Sequence, residues 1–233
     1  MWGDDGAYCD FDSAMAGLTW AADLSYTGKT DDGNLKKRFS AICHGDYEAT
    51  SAAADLDITA VIGKNQNGPV LLWDDDPLVT FYSYNYNLQH PDFWPTAEKT
   101  VQSMIAKLEK TPVKSTDGGD LQYALVLSKM ILKKIELQRR LCDAYNKKDK
   151  QALRQIVCEI PEMIYLVEKT DAAFRTQWLR RNKPFGLDVM QIRFAGMARR
   201  YRELSLRITE LLDGKIDVIE EFENRPTEPI KGL

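Results

Sequence analysis

The sequence holds only two histidines and four cysteines in 233 residues, and that scarcity removes several chemistries at once. His44 and His90 stand far apart and no H-E-x-x-H spacing occurs, so a histidine-based zinc site finds no motif here. Cys9, Cys43, Cys142 and Cys158 form no C-x-x-C pair. Three of them fall inside apolar helical patterns, where buried, reduced thiols are the ordinary reading. Walker A, G-x-G-x-x-G and G-x-S-x-G patterns are all missing. No apolar run approaches the roughly eighteen residues that a membrane span requires. Met1 to Asp10 is acidic and lacks a basic stretch followed by an apolar run, which is not the pattern of a signal peptide. Positive charge is not in excess either: 31 Lys+Arg against 35 Asp+Glu argues against sequence-independent binding of nucleic acid. A cytoplasmic protein without metal or cofactor is expected, with any chemistry carried by carboxylates and aromatics.

What is present, 44% hydrophobic and 28% charged residues, is the composition of a folded chain. Its pattern changes near residue 90. Residues 1–90 are irregular and rich in Gly, Asp, Ser and Ala, with short helices expected from Ser13 to Tyr26, Leu35 to Cys43 and Tyr47 to Leu56. Asp12 would cap the first, and Gly28 and Gly45 would stop the first and second; Leu35, Phe39 and Ile42 share one face. Val70 to Trp73 is a short apolar run that fits a strand or an extended plug. Residues 91–233 read as long helices over Asp92 to Lys110, residues 119–146, Asp149 to Asn182 and Leu187 to Leu212. In the third, Leu153, Ile156, Val157, Ile160, Ile164, Val167, Asp171, Phe174 and Trp178 recur by threes and fours, and Pro161 should kink it. Short links between long amphipathic helices make antiparallel neighbours, so the fold class is mainly α with an antiparallel bundle of long helices. The tail after Phe222 should be extended.

Three groups of residues could carry chemistry. Trp2-Gly3-Asp4-Asp5-Gly6 has the composition of a sugar subsite, an indole face beside carboxylates that accept hydroxyl hydrogen bonds, although a structural loop has the same composition. In Trp73-Asp74-Asp75-Asp76-Pro77, one aspartate is placed to cap a helix starting at Pro77. The following Phe81, Tyr82, Tyr84 and Tyr86 alternate with polar residues as a half-buried face does. Arginines crowd the last two long helices as a salt-bridged surface. Arg193 is the exception, since it shares a stripe with Val189, Ile192 and Gly196 and could reach a buried carboxylate or carbonyl.

Taken together, Met1-Trp2-Gly3-Asp4-Asp5-Gly6, Leu71-Leu72-Trp73-Asp74-Asp75-Asp76-Pro77-Leu78 and above all Phe174-Arg175-Thr176-Gln177-Trp178-Leu179-Arg180-Arg181-Asn182-Lys183-Pro184-Phe185-Gly186 with Ile192-Arg193 resemble glycoside hydrolase family 20. The last blocks resemble the helical C-terminal domain of its bacterial branch. The resemblance implies retaining exo-β-N-acetylhexosaminidase chemistry on terminal β-linked N-acetylglucosamine or N-acetylgalactosamine, in which the substrate's own acetamido oxygen attacks the anomeric carbon. It also implies that residues 1–90 are the end of a (β/α)₈ barrel and that Trp2 walls the sugar while Asp4 binds its hydroxyls. The family's proton donor is the glutamate of an adjacent Asp-Glu pair, and no Asp-Glu dipeptide occurs in this sequence. A barrel needs about 250 residues, so the remainder of a catalytic barrel, most of which would lie upstream of Met1, is the expected partner, with no catalytic residue in this chain. Two other readings remain open: a free-standing helical module whose uncovered apolar face drives it into a homodimer, and a sugar-binding domain built on Trp2 and the Trp73 cluster.

Overall fold

The computed structural model describes residues 14–29, 31–54, 76–79, 81–110 and 118–228. Among these residues there are nine helices and no strand: α1 Met15–Thr27, α2 Asp32–Cys43, α3 Tyr47–Ala54, α4 Phe81–Gln89, α5 Phe93–Leu108, α6 Gly118–Asn146, α7 Lys150–Arg181, α8 Leu187–Leu212 and α9 Glu220–Glu223. The mainly α fold class therefore holds. Asp12, Cys9 and Val70 to Trp73 lie outside the described residues.

The long helices form because their apolar side chains repeat at a helix's own period. On α7 the buried positions are Leu153, Ile156, Ile160, Met163, Val167, Thr170, Phe174 and Gln177, a strict alternation of three- and four-residue steps. That 3.5-residue repeat presents a narrow seam, the arrangement by which neighbouring helices interlock at a shallow crossing angle. Leu187, Met190, Phe194, Tyr201, Leu204 and Ile208 make the matching seam on α8. The central helix is α6, packed by α5 on one side and α7 on the other. It consequently buries a wide arc, from Tyr123, Leu127 and Met130 round to Ile131 and Ile135. Phe174, fully buried, sits at the middle of the core: its ring centroid lies 5.3 Å from that of Tyr123 on α6 and 6.0 Å from that of Phe194 on α8. Ala49 and Ala53 of α3, together with Leu78, join this same core.

Helix ends follow local chemistry. Asp149 caps α7 by accepting from the amides of Gln151 and Ala152, both at 3.0 Å. The break between α7 and α8 is closed by Trp178, whose indole donates to the Lys183 carbonyl at 2.8 Å, and by Gly186, whose φ of +89° is costly for any residue with a Cβ. Gly28 ends α1 in the left-handed region as expected, but α2 is ended by His44 at φ +53° and not by Gly45. Gly118 and Gly119 open α6.

Several other expectations are corrected. Ile42 is exposed although Leu35 and Phe39 of the same helix are buried, because α2 offers only a narrow arc to its neighbours. Cys158 is exposed, and Cys43 and Cys142 are half-buried free thiols. Cys158 lies two positions beyond Ile156 and so falls off the seam. Tyr84 and Tyr86 are half-buried, as their alternation with polar residues indicates, and they lie on helix α4. Pro161 sits on the exposed side of α7, which runs through it unbroken. Asp171 shares the apolar stripe but is only half-buried; one carboxyl oxygen has no hydrogen-bond partner and burial pushes its pKa up.

Between α6 and α7 lies one strong ionic contact. Arg140 grips Glu159 with two parallel bonds of 2.7 and 2.8 Å, and Lys133 adds a third at 2.8 Å. The Arg140 fork, reinforced by Lys133 and only partly opposed by burial, takes the Glu159 carboxyl from the ordinary 4.5 down to about 2. A carboxyl depressed in the folded state contributes stability above its unfolded pKa and loses it as the pH falls through the folded value. Glu159→Gln should therefore destabilise the chain by about 1–2 kcal/mol at pH 7. Denaturant titrations should show that gap persisting down to about pH 4.5 and closing towards pH 2; an equal gap at every pH would contradict it.

Candidate functional site

The acid-rich motif around residue 76 meets the bundle at a pair of arginines. Asp76 accepts from the amides of Leu78 at 2.8 Å and Val79 at 3.1 Å, so it caps the turn over residues 76–79, with α4 beginning at Phe81. The expectation that one aspartate of this motif is a cap is met, although what it caps is a turn. The same carboxylate pairs with Arg200 of α8, through Nε and, at 3.2 Å, through a terminal nitrogen. Burial works against the charge on Asp76, but the Arg200 bond and the two amides outweigh it and hold the carboxyl below its usual range.

The second arginine is Arg225, buried just beyond α9. Its guanidinium stacks 3.9 Å above the Phe222 ring and 5.4 Å from that of Tyr84, donates to the Leu78 carbonyl at 3.3 Å, and lies 3.3 Å from Cys142 Sγ. Burial lowers the arginine's pKa and raises that of the thiol, each partly offset by the other's presence. Arg225 thereby joins α4, α6, the 76–79 turn and the C-terminal segment. Tyr145 supports the same end: its hydroxyl donates to Glu223 at 2.6 Å and accepts from the Ile219 amide at 3.1 Å. The segment after Phe222 is thus tied down as far as Arg225.

The sequence misplaced the arginine that does this work. Arg193 is exposed, as are Val189 and Ile192, because that stripe of α8 faces away from the core. Arg200 lies seven residues further on, two turns along nearly the same line of the helix, and is half-buried because the 76–79 turn packs against it. Arg225 carries no signal, since an isolated arginine just before Pro226 belongs to no periodic pattern. Trp2, Asp4, Trp73, Asp74 and Asp75 lie outside the described residues.

Chemically, the arrangement anchors. Asp76 and Glu159 are locked as carboxylates by arginine and are poor proton donors near neutral pH. A cavity of about 410 Å³ opens between the end of α6, the start of α7 and residues 211–223. Its rim carries Lys148, Lys150, Asp217 and Glu223, of which Glu223 is engaged by Tyr145. Among the described residues no cluster of His, Cys, Asp or Glu could hold a metal ion, and no helix is long and apolar enough to cross a membrane.

Fold and site together define an α-helical bundle domain that clamps an acid-capped turn with two arginines. Residues 57–230 match the family described as the Glycoside Hydrolase 20C C-terminal domain, and the chain belongs to that family. Comparison with curated proteins gives no match.

Replacing Arg200 by Met keeps the stem and removes the Asp76 pair. The variant should lose about 1–2 kcal/mol of stability at neutral pH. A double-mutant cycle with Asp76→Asn should return a coupling well above that of an exposed pair; simple additivity would show that the two side chains do not act together.

Proposed function

We propose that this chain is the carboxy-terminal portion of a retaining exo-β-N-acetylhexosaminidase and is inactive by itself. The family match over residues 57–230 carries the reading, and the lack of any Asp-Glu dipeptide supports the inactivity. On this reading residues 1–90 are the terminal part of a (β/α)₈ catalytic domain and residues 91–233 are its helical C-terminal bundle. Trp2 walls the subsite for a terminal N-acetylglucosamine or N-acetylgalactosamine, and Asp4 accepts hydrogen bonds from ring hydroxyls. The reaction itself needs an aspartate to orient the acetamido group and a glutamate, raised in pKa, to protonate the leaving oxygen. Both belong to the remainder of the barrel. The bundle's part is structural: Arg200 and Arg225 fix the 76–79 turn at the point where the acid-rich motif enters the helices.

The alternative is a free-standing interaction or dimerisation module, favoured by the apolar residues left uncovered on α1. The pure chain should release no p-nitrophenol from p-nitrophenyl N-acetyl-β-glucosaminide above the buffer blank. Turnover that scales with chain concentration and survives repurification would overturn the claim that the proton donor lies elsewhere.

A further inference from the structure

The ends of α6 and α8 and the start of α7 meet at one end of the bundle, and the cavity of about 410 Å³ opens among them. Small-molecule sites span roughly 300–1,000 Å³. Leu153 of α7, Leu212 of α8 and Ile216 give the cavity an apolar floor. Its outer wall is the segment between Gly214 and Ile219. Gly214, at φ +72°, turns the chain off α8, and the Ile219 amide donates to the Tyr145 hydroxyl at 3.1 Å. That hydroxyl donates in turn to Glu223 at 2.6 Å, which pins the segment on its far side.

Charges beside the cavity are settled between neighbours. Lys147 pairs with Asp143 at 2.8 Å, Lys215 with Asp213 at 3.0 Å, and Arg207 with both Glu210 and Glu221. At the mouth the pattern stops: Lys148, Lys150 and Asp217 line it and form no ion pair among the described residues. Local chemistry asks for neither lysine. Lys148 holds φ +53°, a left-handed position closing α6 that glycine fills at less cost, as Gly214 does for α8. Lys150 is the first residue of α7, where the helix dipole disfavours a cation. The α6–α7 link thus brings two cations to the mouth, the 214–219 segment brings a free carboxylate, and hydrocarbon lies below both.

We propose that this cavity binds a zwitterion with an apolar body, a free α-amino acid with a large apolar side chain. The side chain lies on the aliphatic floor, the carboxylate faces Lys148 and Lys150, and the ammonium faces Asp217. A simple anion would be opposed by Asp217 and a simple cation by the two lysines, so the mouth discriminates against both. The site is formed by bundle residues alone and does not depend on the hydrolase reading.

The test is a titration of the full isotope-labelled chain with L-phenylalanine, read through the amide resonances residue by residue. Saturable shifts should appear within residues 148–153 and 211–218. The analogues 3-phenylpropanoate, 2-phenylethylamine and glycine lack the ammonium, the carboxylate and the apolar body in turn. Each should bind at least about tenfold more weakly than L-phenylalanine. Lys148→Gln with Lys150→Gln should weaken L-phenylalanine by about tenfold, and Asp217→Asn should bring it level with 3-phenylpropanoate. All three positions are exposed, so the helical circular dichroism should not change. Failure of L-phenylalanine to saturate, or shifts that lie outside the cavity, would overturn the site. Tighter binding of 3-phenylpropanoate would make the ligand a simple anion and contradict the zwitterion. Equal affinity in wild type and both variants would show that the charged rim recognises nothing, and the proposal would fall.

Discussion

A seam of side chains repeating every three and four residues along α7 can be buried only if long helices lie beside it for most of its length. With 32 residues, α7 is about 48 Å long, and α6 and α8, at 29 and 26 residues, are its neighbours on either flank. Phe174 makes the constraint concrete, since one ring touches Tyr123 of α6 and Phe194 of α8 together. Everything else is placed by reference to this unit. Alpha5 packs against α6, α3 against both, and the 76–79 turn is held by arginines at α8 and beyond α9. Each buried Leu, Ile or Phe contributes about 1.5–3 kcal/mol, whereas the partly exposed ion pairs contribute far less. The seam therefore sets stability, and the ion pairs set where the surrounding segments sit.

The bundle was legible from the sequence because periodicity is a repeated signal. Leu187 to Leu212 coincides with α8 residue for residue, and α7 differs from its expected range by one residue at each end. Single residues were harder to place. Arg193 was picked because it shares a stripe with Val189 and Ile192, yet α8 turns that stripe to solvent and its seam runs through Met190 and Phe194. Arg200 stands two turns further along nearly the same stripe, and what distinguishes it is the 76–79 turn packed beside it, a tertiary contact that no helical period encodes. Alpha4 shows that a face can be legible without its element: Tyr84 and Tyr86 are half-buried, as their alternation indicates, and the segment carrying them is a helix. The tie made by Arg225 rests on contacts to residues more than eighty positions earlier, and no local pattern encodes that.

The carboxylates separate cleanly by environment. Asp76 and Glu159 are clamped by arginine and stay charged, while burial raises Asp171 without giving one of its oxygens a partner. None of this resembles the pairing of one neutral acid with one charged carboxylate on which glycoside chemistry depends. Membership of the Glycoside Hydrolase 20C C-terminal domain family agrees with that division of labour: the bundle holds and positions, and the proposed chemistry belongs to another part of the enzyme.

The α6, α7 and α8 helices form the cooperative unit, and α1 and α2 are a peripheral layer that reaches it through α3. Native-state hydrogen exchange of the full chain at several low denaturant concentrations tests it directly. Amides of Leu153 to Phe174 should exchange only through global unfolding, while those of α1 and α2 should open at a distinctly lower free energy with a smaller denaturant dependence. If α1 and α7 exchange with the same free energy and the same slope, the chain is one cooperative body and this division is wrong.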